Sequence, residues 1–251
     1  HTHDVDICSV RVNNYSFGEV VDIITEHILE KKEPEFVVTP NAHHIFTIQS
    51  NPYFREIYEE SFLSVPDGMS LLWAANFLGT PLKTRVNGTD LFEKLCTISA
   101  EKGLKVFLLG GRPGAAQAAA KLLSKKNPGM QIAGTYCPPY GFESDKDELE
   151  KINRELEAAS PDLLFVGLGA PKQEKWIYEN YKTLGIPISV GIGVSFELVS
   201  GMVTRAPRVM QKLGLEWFFR VCMEPQRLWK RYVVGNTVFV YLVIKQKLGL
   251  L

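Results

Sequence analysis

Long hydrophobic runs are missing from this sequence. The longest, Thr237 to Ile244, falls far short of the roughly 20 residues a helix needs to cross a bilayer, and the pair Gly235-Asn236 reads as a polar break before it. No N-terminal apolar stretch reads as a signal peptide, and His1-Thr2-His3 is set aside. Closely spaced cysteines are missing too. Cys8, Cys96, Cys137 and Cys222 stand far apart, which excludes a metal knuckle or a C-x-x-C redox pair and leaves buried or incidental thiols in a reducing compartment. The dinucleotide fingerprint G-x-G-x-x-G does not occur, nor does Ser-His-Asp or metalloprotease spacing. Net charge is missing as well, with 28 Lys and Arg against 28 Asp and Glu in 251 residues.

That zero conceals a segregation. From Arg205 to Leu251 the chain carries nine basic residues, opposed only by Glu216 and Glu224, so this stretch holds +7 and the rest −7. An acidic body with a basic, aromatic-rich tail points to a tail that meets something anionic. Hydrophobic residues at 45% and charged residues at 22% are ordinary for a globular chain and exclude disorder or a disulfide scaffold. The length suits one large α/β domain or one domain with an appendage.

The middle of the chain alternates short β-rich runs with helix-period segments. Phe36–Thr39, Phe62–Val65, Lys105–Leu109, Gln131–Tyr136, Leu163–Val166 and Ile188–Val190 read as strands. Their near-continuous apolar runs suit a parallel sheet buried on both faces. Helices are expected over Phe17–Lys31, Met69–Phe77, Thr89–Lys102, Ala115–Lys125, Asp145–Ala159 and Gln173–Leu184. This alternation predicts an α/β fold, a parallel Rossmann-like sheet flanked by helices. After Gly201 no strand is expected. Two helices are expected there, Leu213–Met223 and one starting at Pro225, where proline suits a first turn. The expected division is an α/β catalytic domain over residues 4–204 and a helical appendage over 205–251.

Ligands of open parallel sheets bind at the carboxyl ends of the strands, and four motifs fall there. Leu109-Gly110-Gly111-Arg112-Pro113-Gly114 opens an Ala-rich helix, either as a nucleotide site or as a tight turn. In Val65-Pro66-Asp67-Gly68, the Asp67 carboxylate is either a general base or a helix cap. Thr39-Pro40-Asn41 offers groups for a sugar or phosphate, or turn and N-cap chemistry. Gln173 lies near a helix start after Gly167-Leu168-Gly169. Asp4-Val5-Asp6 and Asp145-Lys146-Asp147 spell D-x-D, but Asp4 is expected to fray and Asp145 to begin an acidic helix, so neither is read as a metal site. Adjacent His43 and His44 diverge on a helix, one toward the core and one toward the surface.

In the tail, Arg227 and Arg231 share a helical face. Arg220 joins it only if the helix runs through Pro225. Trp217, Phe218, Phe219, Leu228, Trp229 and Tyr232 lie alongside. Such a mixture suits a membrane interface, a diphosphate through bidentate arginine, or packing on the body or on another copy of the chain.

Together these motifs resemble the WecG/TagA/CpsF family of glycosyltransferases. The resemblance rests on Thr39-Pro40-Asn41, Pro66-Asp67-Gly68, Arg85-Val86-Asn87-Gly88-Thr89-Asp90-Leu91, Leu109-Gly110-Gly111, Gly169-Ala170-Pro171-Lys172-Gln173-Glu174 and Arg205-Ala206-Pro207. Gly214-Leu215-Glu216-Trp217 and Glu224-Pro225-Gln226-Arg227-Leu228 carry it to the tail. It implies an inverting bacterial enzyme without metal or cofactor. Such an enzyme moves a sugar from a UDP-sugar donor to a polyprenyl-diphosphate-linked sugar at the inner face of the cell membrane. The family activity it points to transfers N-acetylmannosamine onto N-acetylglucosaminyl-diphospho-undecaprenol for wall teichoic acid. On the family pattern Asp67 is the base, and Thr39, Asn41, Arg85 and Gln173 line the pocket. Arg220, Arg227 and Lys230, with Arg231 beside it, close over the active site from the appendage. Lys230 departs from the arginine needed for bidentate phosphate binding. Glu197 departs from an expected aspartate and receives no role.

The expected mechanism has Asp67 take the acceptor hydroxyl proton in a single displacement. Arg85, the tail arginines and the amides after Gly110 would meet the charge on the leaving UDP. Other UDP-hexose or uronic acid donors, a nucleotide-dependent oxidoreductase and a non-catalytic membrane module are the alternatives. No nucleic-acid partner is expected, and a homo-oligomer stays open. The protein is expected to be cytoplasmic and peripheral at the membrane's inner face.

Overall fold

The structure is a computed structural model. It describes residues 4–30 and 32–251, except for the side chains of Arg227, Lys230 and Arg231. The chain begins with β1 (Asp4–Ile7), β2 (Val10–Asn13), α1 (Phe17–Leu29), β3 (Glu35–Val38), α2 (Ala42–Ser50), α3 (Pro52–Glu60), β4 (Leu63–Ser64) and α4 (Met69–Leu78). It continues with α5 (Gly88–Lys102), β5 (Lys105–Gly110), α6 (Ala115–Lys126), β6 (Gln131–Tyr136), α7 (Lys146–Ala159), β7 (Leu163–Gly167), α8 (Lys172–Leu184), β8 (Ile188–Gly191) and α9 (Ser195–Ser200). Three helices close it: α10 (Arg208–Lys212), α11 (Glu216–Met223) and α12 (Pro225–Lys247).

The chain forms two compact units. One gathers the N-terminal segment through Phe17, Thr39–Asn87 and Thr204–Leu251. The other gathers Gly18–Val38 and Gly88–Val203. The stretch from residue 205 onward, expected as an appendage, therefore clusters with residues 39–87 and the N-terminal strands.

The second unit holds five strands in the order β3-β8-β7-β5-β6, and every neighbouring pair is parallel. Strands β7 and β8 are buried at every position, because helices cover both faces of a parallel sheet. β6 lies at the sheet's end and is only half-buried. The Phe92, Phe165 and Phe196 rings meet edge to face at 4.7 and 5.4 Å and tie α5 and α9 to β7.

In the first unit, β1 and β2 form an antiparallel hairpin that the strand reading missed. Its two-residue turn has both Cys8 and Ser9 at positive φ, +53° and +61°, the twist that two-residue hairpins favour. Nothing at Cys8-Ser9 advertises such a turn, since Gly and Asn are the usual occupants. Asp4 is paired rather than frayed, its carboxylate accepting from Asn13 Nδ2 at 2.7 Å. Helices α2 and α3 were also missed, although both are capped by an asparagine, Asn41 and Asn51.

Helix α12 runs straight through the polar pair Gly235-Asn236. Gly235 is buried and a Cβ there would come 3.5 Å from His43 Nδ1 on α2, so the glycine serves helix contact rather than interruption. The inner face of α12, Leu228, Gly235, Phe239 and Leu242, is buried, with α12 packed on α2 and α4. Its last turn is pinned by Gln246, whose Nε2 donates to the Asp6 carbonyl at 3.0 Å and whose Oε1 accepts from Cys8 N at 2.7 Å. The break expected at Pro225 does occur, leaving Arg220 on α11 and Arg227 on α12.

Candidate functional site

In the second unit the chain leaves β5 toward β6 on one side and leaves β7 toward β8 on the other. The carboxyl ends of β5 and β7 therefore flank a topological switch point, where open α/β sheets bind ligands. Gly110 and Gly111 lie there at φ +103° and +79°. A Cβ on Gly110 would come within 2.8 Å of the Gly167 carbonyl oxygen, so only glycine lets the two strand ends approach. The amides after Gly110 are engaged within the unit. Gly111 N donates to Gly167 O at 2.8 Å, and Arg112 N donates to Glu197 Oε1 at 2.8 Å. These glycines thus shape the crevice wall, and these two amides do not stand open to a diphosphate.

Glu197, which carried no assigned role, stands out at that wall. It is 5% exposed, and its second oxygen, Oε2, is buried without a hydrogen-bond partner. A buried carboxylate oxygen in that state is suited to a ligand's N–H or O–H. Cys137 lies beside the same loop, its thiol donating to Gly111 O at 3.2 Å. Burial, and next the charge of Glu197, push that thiol up and keep it protonated.

Gln173 is 2% exposed. Its Oε1 accepts from Gly193 N at 2.9 Å and Gly169 N at 3.2 Å, and its Nε2 donates to Glu174 Oε1 at 2.8 Å. One carboxamide thereby joins the loops after β7 and β8, so Gln173 holds the shape of the crevice rim.

In the first unit Asp67 sits on the turn between β4 and α4. Gly68, not Asp67, is the N-cap residue of α4. The turn is clamped by backbone bonds: Asp67 N donates to Pro40 O at 3.0 Å, and Val86 N donates to Pro66 O at 2.8 Å. These bring the Thr39-Pro40-Asn41 and Arg85-Val86-Asn87 segments against the Asp67 turn. Asn87 Nδ2 donates to Asp67 Oδ1 at 2.9 Å. Thr39 is buried, at 6% exposure. Asn41 uses its carbonyl oxygen to cap α2, accepting from His43 N and His44 N at 3.0 and 3.3 Å. Arg85 Nη1 donates to Glu216 Oε2 at 3.3 Å.

Of the tail cations, Arg220 is half-buried on α11. The side chains of Arg227, Lys230 and Arg231 lie outside the described residues. Among the described residues no group of three His, Cys, Asp or Glu is placed to hold a metal ion. Asp145 caps α7 through Asp147 N and Glu148 N. His44 is buried, its Nδ1 2.8 Å from the Tyr58 hydroxyl, and His43 is half-buried.

Asn87, Arg205 and Glu216 adjoin Asp67 and Arg85 in the first unit, and Glu197 adjoins the Gly111-Arg112 turn in the second, yet none had been given a role. One signal was available: Glu216 is one of two acids in a +7 tail, and an isolated acid among bases marks an ion-pair partner.

Two kinds of likeness extend this picture to known proteins. The N-acetylglucosaminyldiphosphoundecaprenol N-acetyl-β-D-mannosaminyltransferase of Bacillus subtilis strain 168 is 31% identical over 219 residues, covering 87% of this chain and 82% of the relative. The enzyme of the same name from Staphylococcus aureus strain MRSA252 is 28% identical over 250 residues, covering 98% and 94%. The family model for glycosyl transferases of the WecG/TagA/CpsF type matches residues 5–251. With that match spanning both units and the C-terminal helices, this glycosyltransferase belongs to the WecG/TagA/CpsF family.

Proposed function

We propose that this enzyme transfers N-acetylmannosamine from UDP-N-acetylmannosamine to N-acetylglucosaminyl-diphospho-undecaprenol, with inversion and without a metal ion. The observation that carries the chemistry is the Asp67 carboxylate. It is half-buried on a turn clamped at both flanks, one residue before the N-cap of α4, and it accepts from Asn87. The substrate assignment is supported by the activity named for relatives that align over most of the chain.

In this mechanism the acceptor hydroxyl oxygen forms a bond to the donor's anomeric carbon while the bond from that carbon to the UDP oxygen breaks. The hydroxyl proton passes to Asp67. Thr39, Asn41 and Arg85 bind the sugars, and Arg220, Arg227, Lys230 and Arg231 meet diphosphate charge as UDP departs. Within the second unit, Glu197 Oε2 offers an acceptor to a ligand hydroxyl or N–H. Gln173, Gly110 and Gly111 keep the surrounding loops in place.

Peripheral binding at the inner membrane face belongs to the same proposal. The outer face of α12 exposes Trp229, Val233, Val240 and Ile244, spaced four, seven and four apart and so on one side. No acidic residue follows Glu224. An apolar stripe with cations at both ends suits an anionic lipid interface. No helix among the described residues is long and apolar enough to cross a membrane.

The test is transfer from a panel of UDP-sugars to a synthetic N-acetylglucosaminyl-diphospholipid, with and without EDTA. Transfer confined to UDP-N-acetylmannosamine and unchanged by EDTA is expected. Preference for another hexose or a uronic acid would replace the donor. Loss in EDTA with recovery on a divalent ion would end the metal-free mechanism.

A further inference from the structure

A line of polar side chains runs from the Asp67 carboxylate to the first turn of α11, all within the first unit. Asn87 Nδ2 donates to Asp67 Oδ1 at 2.9 Å. Arg205 Nη2 donates to Asn87 Oδ1 at 3.2 Å. Arg205 Nε then lies 3.9 Å from Glu216 Oε1. The other oxygen of Glu216 accepts from Arg85 Nη1 at 3.3 Å. The Arg85, Glu216 and Arg205 side chains are only 16%, 18% and 24% exposed, so solvent screens these charges weakly.

Each member constrains the next for a chemical reason. A carboxamide can present either end to a carboxylate, and only its NH2 end donates. Arg205 has donors and no acceptor, so its contact with Asn87 claims the carbonyl oxygen. The NH2 end of Asn87 is then the end that faces Asp67. Glu216 in turn serves two guanidinium groups with one oxygen each and offsets half of their charge. With Glu216 neutral, two arginines would share this region with Asp67 as the remaining carboxylate of the line. Arg205 already stands one amide away from it.

We propose that Glu216, Arg205 and Asn87 are positioning residues for Asp67, through which the first turn of α11 sets the orientation of the catalytic carboxylate. This rests on Asp67 being the general base. None of the three touches the reacting atoms. Their effect is to hold the Asp67 oxygens toward the acceptor hydroxyl. The C-terminal segment therefore contributes to catalysis through this line as well as through any contact of its own with substrate.

The experiment uses the full chain and measures kcat and KM for both substrates in Asn87→Ala, Glu216→Gln, their double variant, Arg205→Gln and Asp67→Asn. Asn87→Ala and Glu216→Gln should each lower kcat by about 10- to 100-fold, part of the ~10²–10⁴ a general base supplies. In Asn87→Ala, KM for the donor should stay within about twofold, since no ground-state contact is removed. Because Glu216 acts through Asn87, the double variant should be little worse than Asn87→Ala alone. Multiplicative losses in the double variant, or losses confined to KM, would overturn the proposal while leaving the base assignment standing. Near-native turnover in folded Asp67→Asn would instead remove the base assignment beneath it. Arg205→Gln keeps a donor for Asn87 without the charge, so it serves if Glu216→Gln fails to fold. It should lose less kcat than Asn87→Ala, and an equal or larger loss would count against the line. Gln246→Ala, which loosens the far end of α12, is the control. It should lower the melting temperature and leave kcat unchanged, and a matching fall in kcat would mean that the losses above report stability alone.

Discussion

In the second unit the polar side chains near the crevice are held by backbone. Gln173 is gripped by the amides of Gly169 and Gly193, and Glu197 by the amide of Arg112. In the first unit the polar side chains hold one another, from Arg85 and Glu216 to Arg205, Asn87 and Asp67. Loops fixed by their own amides keep a constant shape for a ligand to enter. Side chains fixed by other side chains can be perturbed from a distance, because every link has a rotamer to lose. The comparison teaches that shape is stored in one unit and orientation in the other. Substitutions at Gln173 and Glu197 should therefore affect affinity, and substitutions along the line from Asp67 to Glu216 turnover.

The largest expected break is Asp67→Asn, which removes the proton acceptor. Its kcat should fall by about 10²–10⁴-fold, with substrate binding retained. Steady-state transfer assays and titration calorimetry with UDP check this, and weaker UDP binding would move Asp67 into the ground-state contacts.

Gly110→Ala attacks stored shape. A methyl group there meets the Gly167 carbonyl at 2.8 Å with φ at +103°. A cost of about 2–3 kcal/mol is expected, which is a fall in melting temperature of roughly 5–10 °C. Calorimetry reads it directly. An unchanged transition would mean that the two strand ends part without penalty.

Gln173→Ala leaves the buried amides of Gly169 and Gly193 without their shared acceptor, at about 1–3 kcal/mol. Its kinetic mark should be a raised donor KM with kcat largely kept, the reverse of the pattern for Asn87→Ala. If kcat fell instead, the division between shape and orientation would fail at its best-held residue.

Glu197→Gln keeps an acceptor for Arg112 N but removes the charge. Donor KM should rise by about tenfold, the loss of one charged hydrogen bond. An unaltered KM would detach Glu197 from the donor.

The smallest effect concerns independence of the units. Each has one fully buried thiol, Cys8 in the first and Cys96 in the second. Burial and then the charge of Asp6 push Cys8 up to about 12, and burial chiefly pushes Cys96 up as well. Neither should react with iodoacetamide near pH 8 until its unit opens. Glu216→Gln should bring Cys8 labelling to lower urea concentration and leave Cys96 labelling in place. A joint shift, read by peptide mass spectrometry, would mean that one cooperative transition covers both units.

Sequence alone determined most of the second unit. Strands such as Leu163–Val166 are apolar at every position, and a short run of that kind is stable only in a sheet covered on both faces. The helices between them carry a period that any neighbour would satisfy. Sequence also marked Asp67 as a residue at a strand's carboxyl end, and separated Arg220 from Arg227 at Pro225. It did not reveal the β1–β2 hairpin, because Cys8-Ser9 lacks the usual turn residues and four-residue strands show little period. It did not show that one helix carries through Gly235-Asn236, since a glycine's effect on a helix depends on what packs against it, here His43. Tertiary structure alone decided which alternative held at each polar residue. Asn41 caps a helix, Gln173 braces two loops, and Glu216 reaches back 131 positions to Arg85. Hydrophobic pattern is local and periodic, so it survives in one dimension. A hydrogen bond between distant residues has no period, so only the folded chain can assign it.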